Sequence, residues 1–202
     1  MPLTITEFIS LDGVVQAPGG AEEDTDCGFA HGGWSMPYFD VEVMGKAWDD
    51  ALGSADALLY GRRTWEVMAA AWPERGGDPF ADRINVMPKY VVSSSLGDGD
   101  MRWNTTRIPG AEAVPRVREL RESDESLLVM GSPTLVRTLL AQGLVDELRL
   151  MIEPVILGGG KSIFPTDGTM QPLELVSTVT AATGVVVATY RAAAASVLRD
   201  VG

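Results

Sequence analysis

Residues 127–135 read LLVMGSPTL, and this stretch decides the fold. The four apolar residues 127–130 form a continuous run, the pattern of a short strand buried on both faces. Gly131 ends it. Ser132 suits a helix N-cap and Pro133 the first helical position. A helix is therefore expected over 133–142, with Gly143 as its stop. The same grammar occurs earlier, in residues 57–65, ALLYGRRTW. There an apolar strand over 57–60 meets Gly61, and a helix follows over 63–71. Repeated strand–glycine–helix units imply a parallel sheet with helical crossovers.

Outward from these units, residues 3–9 (LTITEFI) read as a first strand, rich in β-branched and aromatic residues. A long loop, 11–38, is rich in glycine and carries the acidic run Glu22, Glu23, Asp24 and Asp26. A loop of this length is expected to be either a functional lid or disordered. Helix is expected over 40–52 and strand over 89–94. A further helix is expected over 111–121, with Pro115 delaying its start. Residues 145–157 are strand-like up to Pro154 and lead to the Gly158-Gly159-Gly160 turn. Residues 173–181 and 185–192 form two consecutive strands around Gly184, which gives an antiparallel edge. A frayed tail or short helix ends the chain at 193–202. The expected fold is a single α/β domain over 1–202: a mostly parallel central sheet flanked by helices, with an antiparallel C-terminal edge.

The 202 residues carry 16 Lys and Arg against 28 Asp and Glu, a net charge of −12. So acidic a chain repels nucleic acid and anionic membrane, although a local basic spot would still hold a small anion. One cysteine, Cys27, and one histidine, His31, argue against a disulfide and against a His/Cys zinc site. The N-terminus has no basic, then apolar, leader, and no apolar stretch reaches the ~20 residues of a membrane helix. A protein of the reducing cytoplasm is expected.

Both glycine turns open helices, whose first N–H groups and positive dipole end take phosphate. Arg62 and Arg63 stand where the dipole disfavours cations. An anion lying between them and the helix end would resolve this; a surface turn with two solvated arginines is the alternative. At 131–134 a ligand on Gly131 and a plain helix cap are both open readings. Ser10-Leu11-Asp12-Gly13 falls on the same sheet edge, as ligand mouth or simple turn. In 31–40, HGGWSMPYFD, the rings of Trp34, Tyr38 and Phe39 are candidates for an aromatic pocket. Asp40 is a candidate substrate carboxylate, although its spacing favours a helix cap. Lys161 reads as solvated. The run 144–164 lacks the order of a triphosphate loop.

Taken in order, SLDG, GRRTW, KYVVSSSL, VMGSPTL and LVDELRLMIEPVILGGGKSIF resemble the dihydrofolate-reductase superfamily. The likeness spans roughly residues 3–191. It is nearest the branch holding the riboflavin-biosynthesis reductase domain, the 5-amino-6-(5-phosphoribosylamino)uracil reductase, and single-domain relatives. The resemblance implies a dihydrofolate-reductase-like sheet that binds NADPH and reduces a small heteroaromatic, pterin- or pyrimidine-like substrate. A non-catalytic NADP-binding module on the same fold is the alternative. The resemblance places cofactor phosphates on Gly61, Arg62, Arg63 and Thr64, the adenosine phosphate end on Ser93 and Ser94, and the pyrophosphate on Gly131, Ser132, Pro133 and Thr134. The arginines favour NADPH over NADH, since a 2′-phosphate gives them a partner. Trp34 and Asp40 fall where the folate enzymes bind the pterin, with the acid one residue late, which argues against folate itself. Asp40 is the first candidate to orient substrate or relay a proton, Asp12 the second and Glu42 the third. Many relatives have Gly-Gly where this chain has Gly131-Ser132. The motif set of the zinc deaminase often fused to this reductase is absent. A homodimer is expected by analogy, with the C-terminal third as interface.

Overall fold

The computed structural model describes residues 2–193. One eight-stranded sheet runs through it in the order β4-β3-β2-β5-β1-β6-β8-β7. Its strands are β1 (Leu3–Ser10), β2 (Ala57–Gly61), β3 (Lys89–Ser93), β4 (Thr105–Pro109), β5 (Leu127–Met130), β6 (Glu147–Glu153), β7 (Leu173–Thr180) and β8 (Val186–Ala192). The first six in spatial order are parallel. β8 and β7 add the antiparallel edge.

Alternation within the central strands assigns the two faces. Ala57 and Leu59 of β2, with Leu127 and Val129 of β5, pack on one side against α4 (Ala113–Glu122) and α5 (Pro133–Ala141). Leu58, Tyr60, Leu128 and Met130 pack on the other against α1 (Lys46–Gly53), α2 (Arg62–Ala71) and α3 (Pro79–Val86). All four β5 side chains are buried, as a doubly covered strand requires. Burial of each such side chain contributes roughly 1.5–3 kcal/mol. No helix among the described residues is long and apolar enough to cross a membrane.

Two expectations need correction. The helix expected over 40–52 is a five-residue π turn, Val41–Gly45, running into α1. Ser132 stands at the N-cap position of α5 but makes no cap bond; its φ of 73° puts it in the left-handed region. α4 begins at Ala113 rather than 111, the delayed start expected from Pro115, which has no N–H to bond the residue 111 carbonyl; residues 110–112 form a 3₁₀ turn instead. The structure also adds α3 and β4, for which no element is read in the sequence. Of the tail expected at 193–202, all but residue 193 lies outside the described residues.

The 11–38 loop contains only two short 3₁₀ turns, Asp26–Gly28 and Met36–Tyr38. It is nevertheless packed. Val14, Val15, Gln16 and Ala17 are buried, and backbone bonds tie Val15 to Lys161 and Gly33 to Ala17.

Candidate functional site

Because β1, β2, β3, β5 and β6 are parallel, their last residues, Ser10, Gly61, Ser93, Met130 and Glu153, share one sheet edge. Ligands of open α/β sheets bind outside such edges. The two glycine turns meet there. The Gly61 N–H donates to Ser132 Oγ at 2.7 Å. A Cβ on Gly131 would stand 3.1 Å from Thr64 Cγ2, and Gly131 itself has a φ of 73°. Two consecutive left-handed residues, Gly131 and Ser132, thus carry the chain from β5 into α5. Only glycine adopts that conformation without strain. Ser132 tolerates it while its hydroxyl joins the turns. Pro133 and Thr134 follow as the first two residues of α5.

The residues after β3 form the next wall. Ser93 is buried, and its hydroxyl accepts the N–H groups of Ser95 and Leu96. Ser94 is exposed, its hydroxyl against Gly110. Ser95, absent from the sequence-based candidates, accepts from Arg62 at 2.8 Å. Arg62 also pairs with Glu66 one helical turn on. Arg63 reaches the long loop and pairs with Asp26. Lys161 is not simply solvated: it pairs with Asp24 and lies 2.8 Å from Asp26. The anion next to the misplaced arginine is therefore a carboxylate of the chain itself.

The carboxylates proposed from sequence have structural partners. Asp12 Oδ1 accepts from the Ser10 hydroxyl at 2.6 Å and the Leu157 N–H at 3.1 Å. Its Oδ2 accepts the Gly158 N–H at 2.7 Å. These bonds, the Ser10 hydroxyl foremost, hold the Asp12 carboxyl below the ordinary range. Asp12 therefore latches the loop after β6 to the end of β1, and is a poor proton donor. Asp40 caps the turn after it, Oδ1 accepting the Val43 N–H at 2.9 Å. Glu42 is exposed in that turn. Trp34 is buried, and its indole N–H donates to the Gln16 carbonyl at 2.8 Å. Phe39 tilts toward Phe8 at 6.4 Å, and Phe8 toward Trp48 at 5.2 Å.

Two buried acids escaped the sequence reading. Glu153, the last residue of β6, is fully buried. It accepts the Ser35 hydroxyl at 2.7 Å and the Ile9 N–H at 3.1 Å. Desolvation outweighs these bonds and pushes its carboxyl up to about 7. Glu7 of β1 is also buried, and its Oε1 has no hydrogen-bond partner among the described residues. Burial first, then Glu23 nearby, holds it well above the ordinary range. Buried acids in an apolar strand resemble strand termini in sequence, and no local pattern marks them.

Beside this edge a cleft of about 380 Å³ separates the 26–31 segment from Leu157–Gly160. Phe29 and His31, edge to face at 5.6 Å, stand on one wall. Another cavity of about 310 Å³, lined by Leu140, Gly143, Met170 and Tyr190, includes residues that precede β6 and lies away from the paired turns.

The strand order, the paired glycine turns and the antiparallel C-terminal edge define a dihydrofolate-reductase-like domain. A model of the RibD C-terminal domain family matches residues 2–187, and the chain belongs to that family. It is 27% identical over 192 residues to the uncharacterized protein YyaP of Bacillus subtilis (strain 168), covering 90% of each. Solved structures share the fold at 15% identity. A putative riboflavin biosynthesis protein from Shewanella sp. PV-4 aligns with a TM-score of 0.74, covering 96% of this chain and 100% of that one. A pyrimidine reductase-like protein from Corynebacterium diphtheriae gives 0.66, with 96% and 92% covered. A diaminohydroxyphosphoribosylaminopyrimidine deaminase/5-amino-6-(5-phosphoribosylamino)uracil reductase from Thermotoga maritima gives 0.60, with 95% of this chain and 56% of that one covered.

Proposed function

We propose that this chain is a reductase that binds NADPH across the two joined turns and reduces a small pterin- or pyrimidine-like substrate. The observation that carries this reading is the Gly61–Ser132 hydrogen bond, which brings the starts of α2 and α5 together on the carboxyl edge of the sheet. The donor set fits a dinucleotide. Gly131 lets the backbone approach closely, the first N–H groups of both helices offer phosphate contacts, and Arg62 and Arg63 add charge beside them. Gly61, Arg62, Arg63, Thr64 and the 131–134 turn would hold the phosphates, with Ser93, Ser94 and Ser95 at the adenosine end. Bound NADPH supplies the hydride. The names of the structural relatives, a riboflavin biosynthesis protein and a pyrimidine reductase-like protein, support a pyrimidine as acceptor.

The chain's own part is to position two rings and exclude water. Trp34 and the Asp40 cap fix the loop above the end of β1, and Asp40 orients the substrate. Asp12 sets the floor of the mouth through the Leu157–Gly158 latch. The commitment of both Asp12 and Asp40 to backbone bonds favours, as a second reading, an NADP-binding module without chemistry. The same family reading makes the chain a homodimer, meeting through edge strand β7.

Titration of NADPH and NADH against the intrinsic tryptophan fluorescence tests the cofactor. Binding that favours NADPH supports the reading, and binding of neither overturns it. Arg62→Glu or Arg63→Glu alone is expected to weaken NADPH about ten- to hundredfold, since one lost charged contact costs roughly 1.5–3 kcal/mol. Loss of reduced-nicotinamide absorbance with a panel of pterins and pyrimidines then separates the enzyme from the silent module.

A further inference from the structure

Arg63 and Lys161 come from separate elements, the first turn of α2 and the loop after β6, yet converge on one point. Two loop carboxylates fill it. Arg63 pairs with Asp26 and lies 3.9 Å from Asp24. Lys161 pairs with Asp24 and lies 2.8 Å from Asp26. Gln16 braces the pair from below. Its Nε2 donates to the Asp24 carbonyl at 3.0 Å, to Asp24 Oδ1 at 3.2 Å and to the Asp26 carbonyl at 3.2 Å. Its Oε1 accepts the Lys161 N–H at 3.1 Å. Asp26 also walls the 380 Å³ cleft.

Two cations joined by two carboxylates describe a seat for a compact dianion with several acceptor oxygens, which is the chemistry of a phosphomonoester. The cations stand on the packed scaffold. The carboxylates stand on a long loop, and Arg63 and Asp26 are substantially exposed. The Arg63–Asp26 pair is of the weak, exchangeable exposed kind, whereas the Lys161 and Asp24 side chains are only 27% and 21% exposed. We propose that Arg63 and Lys161 form a phosphomonoester site that the chain closes with its own Asp24 and Asp26, so that a ligand phosphate binds by displacing these carboxylates. The proposal deepens the cofactor reading of the GRRT turn. The phosphate comes either from the 2′ position of the dinucleotide or from a phosphorylated substrate. Apparent affinity is the intrinsic affinity reduced by the fraction of chains in which the seat is open.

The test compares the full chain with the Asp24→Asn/Asp26→Asn variant, checked for folding by circular dichroism. NADPH, NADH and ribose 5-phosphate are titrated calorimetrically at low salt. Neutralising the carboxylates is expected to tighten NADPH about tenfold and leave NADH unchanged, and adding Lys161→Met is expected to abolish the gain. Tightening of ribose 5-phosphate with no change for NADPH also supports the site and assigns its phosphate to the substrate. If the wild-type chain binds NADPH but the variant binds every phosphate probe equally or more weakly, the displacement is overturned and the cofactor reading stands. If neither protein binds either dinucleotide, the cofactor reading fails, and the ribose 5-phosphate arm alone decides the seat. The single variant Asp26→Asn, with half the carboxylate charge removed, repeats the comparison should the double variant not fold.

Discussion

The Gly61 amide and the Ser132 hydroxyl, 71 residues apart in sequence, lie 2.7 Å apart and tie the start of α2 to the start of α5. The bond explains how serine persists at a left-handed position. Its hydroxyl is the acceptor that Gly61 needs, and the interturn bond offsets backbone strain.

Ser132→Ala keeps the strained backbone and removes the acceptor. It is expected to cost about 1–2 kcal/mol, because the part-buried Gly61 N–H loses its partner. Ser132→Gly removes the strain as well and is expected to cost less. Gly131→Ala should exceed both, since its Cβ would stand 3.1 Å from Thr64 at a φ of 73°, a cost of about 1–3 kcal/mol. Urea midpoints of the three variants check the order. A Ser132→Ala variant as stable as wild type would remove the bond's structural role.

Asp12 supports a different prediction. Its two oxygens hold Ser10, Leu157 and Gly158. Asp12→Ala is expected to destabilise the chain by only about 0.5–1.5 kcal/mol, because the carboxylate and its bonds to the Leu157 and Gly158 amides are exposed and water replaces the lost bonds. A folded carboxyl below the ordinary range contributes stability above the unfolded value of 3.8 and loses it as pH falls through the lowered folded value. The difference between wild type and Asp12→Ala should therefore shrink in acid. Equal melting temperatures at neutral pH would show that the latch contributes nothing.

The fold was largely legible because burial is written in local pattern. Residues 127–130 are β5 to the residue, and Gly61 and Gly131 mark where β2 and β5 end. β4 was not legible, since TTRIP carries an arginine and a proline and pairs on one side only. α3 is a single eight-residue helix behind a Pro/Gly-rich run. At the site, Ser132 read as a cap because composition does not report φ. The acidic run was visible, but its partners were not: Asp26 meets Lys161 135 residues away, a contact only the tertiary fold creates. Glu153 and Ser35 are joined across 118 residues in the same way.

β7 ends the sheet, and every one of its residues is exposed. Leu173, Leu175, Val176 and Val179 are apolar there, and Glu174 is its one charge. An apolar edge strand with so little charge is unprotected against pairing. Two copies joined along β7 would cover it, and symmetric dimers are the commonest assembly. Sedimentation velocity is expected to show a dimer that Leu175→Lys with Val179→Lys converts to a folded monomer. A wild-type monomer at all concentrations, or a dimer indifferent to both substitutions, would move the interface elsewhere.

Glu153 makes stability depend on pH in the direction opposite to Asp12. Its folded carboxyl releases the proton near pH 7, against an ordinary value of 4.5. Between these values the folded state holds a proton that the unfolded state has lost. Stability is therefore fullest below pH 4.5 on this account, falls as pH rises toward 7 and levels off above it. The gap corresponds to roughly 3 kcal/mol. Glu7, also raised by burial, adds to the slope in the same direction. Glutamine fits at 153: its carbonyl accepts the Ile9 N–H and its amide donates to the Ser35 oxygen. Glu153→Gln is thus expected to match wild type near pH 5 and to exceed it in stability near pH 8. Urea denaturation at the two values decides this. A variant less stable than wild type at pH 8 would mean that the ionised carboxylate, rather than its protonated form, holds Ser35 and the loop it carries.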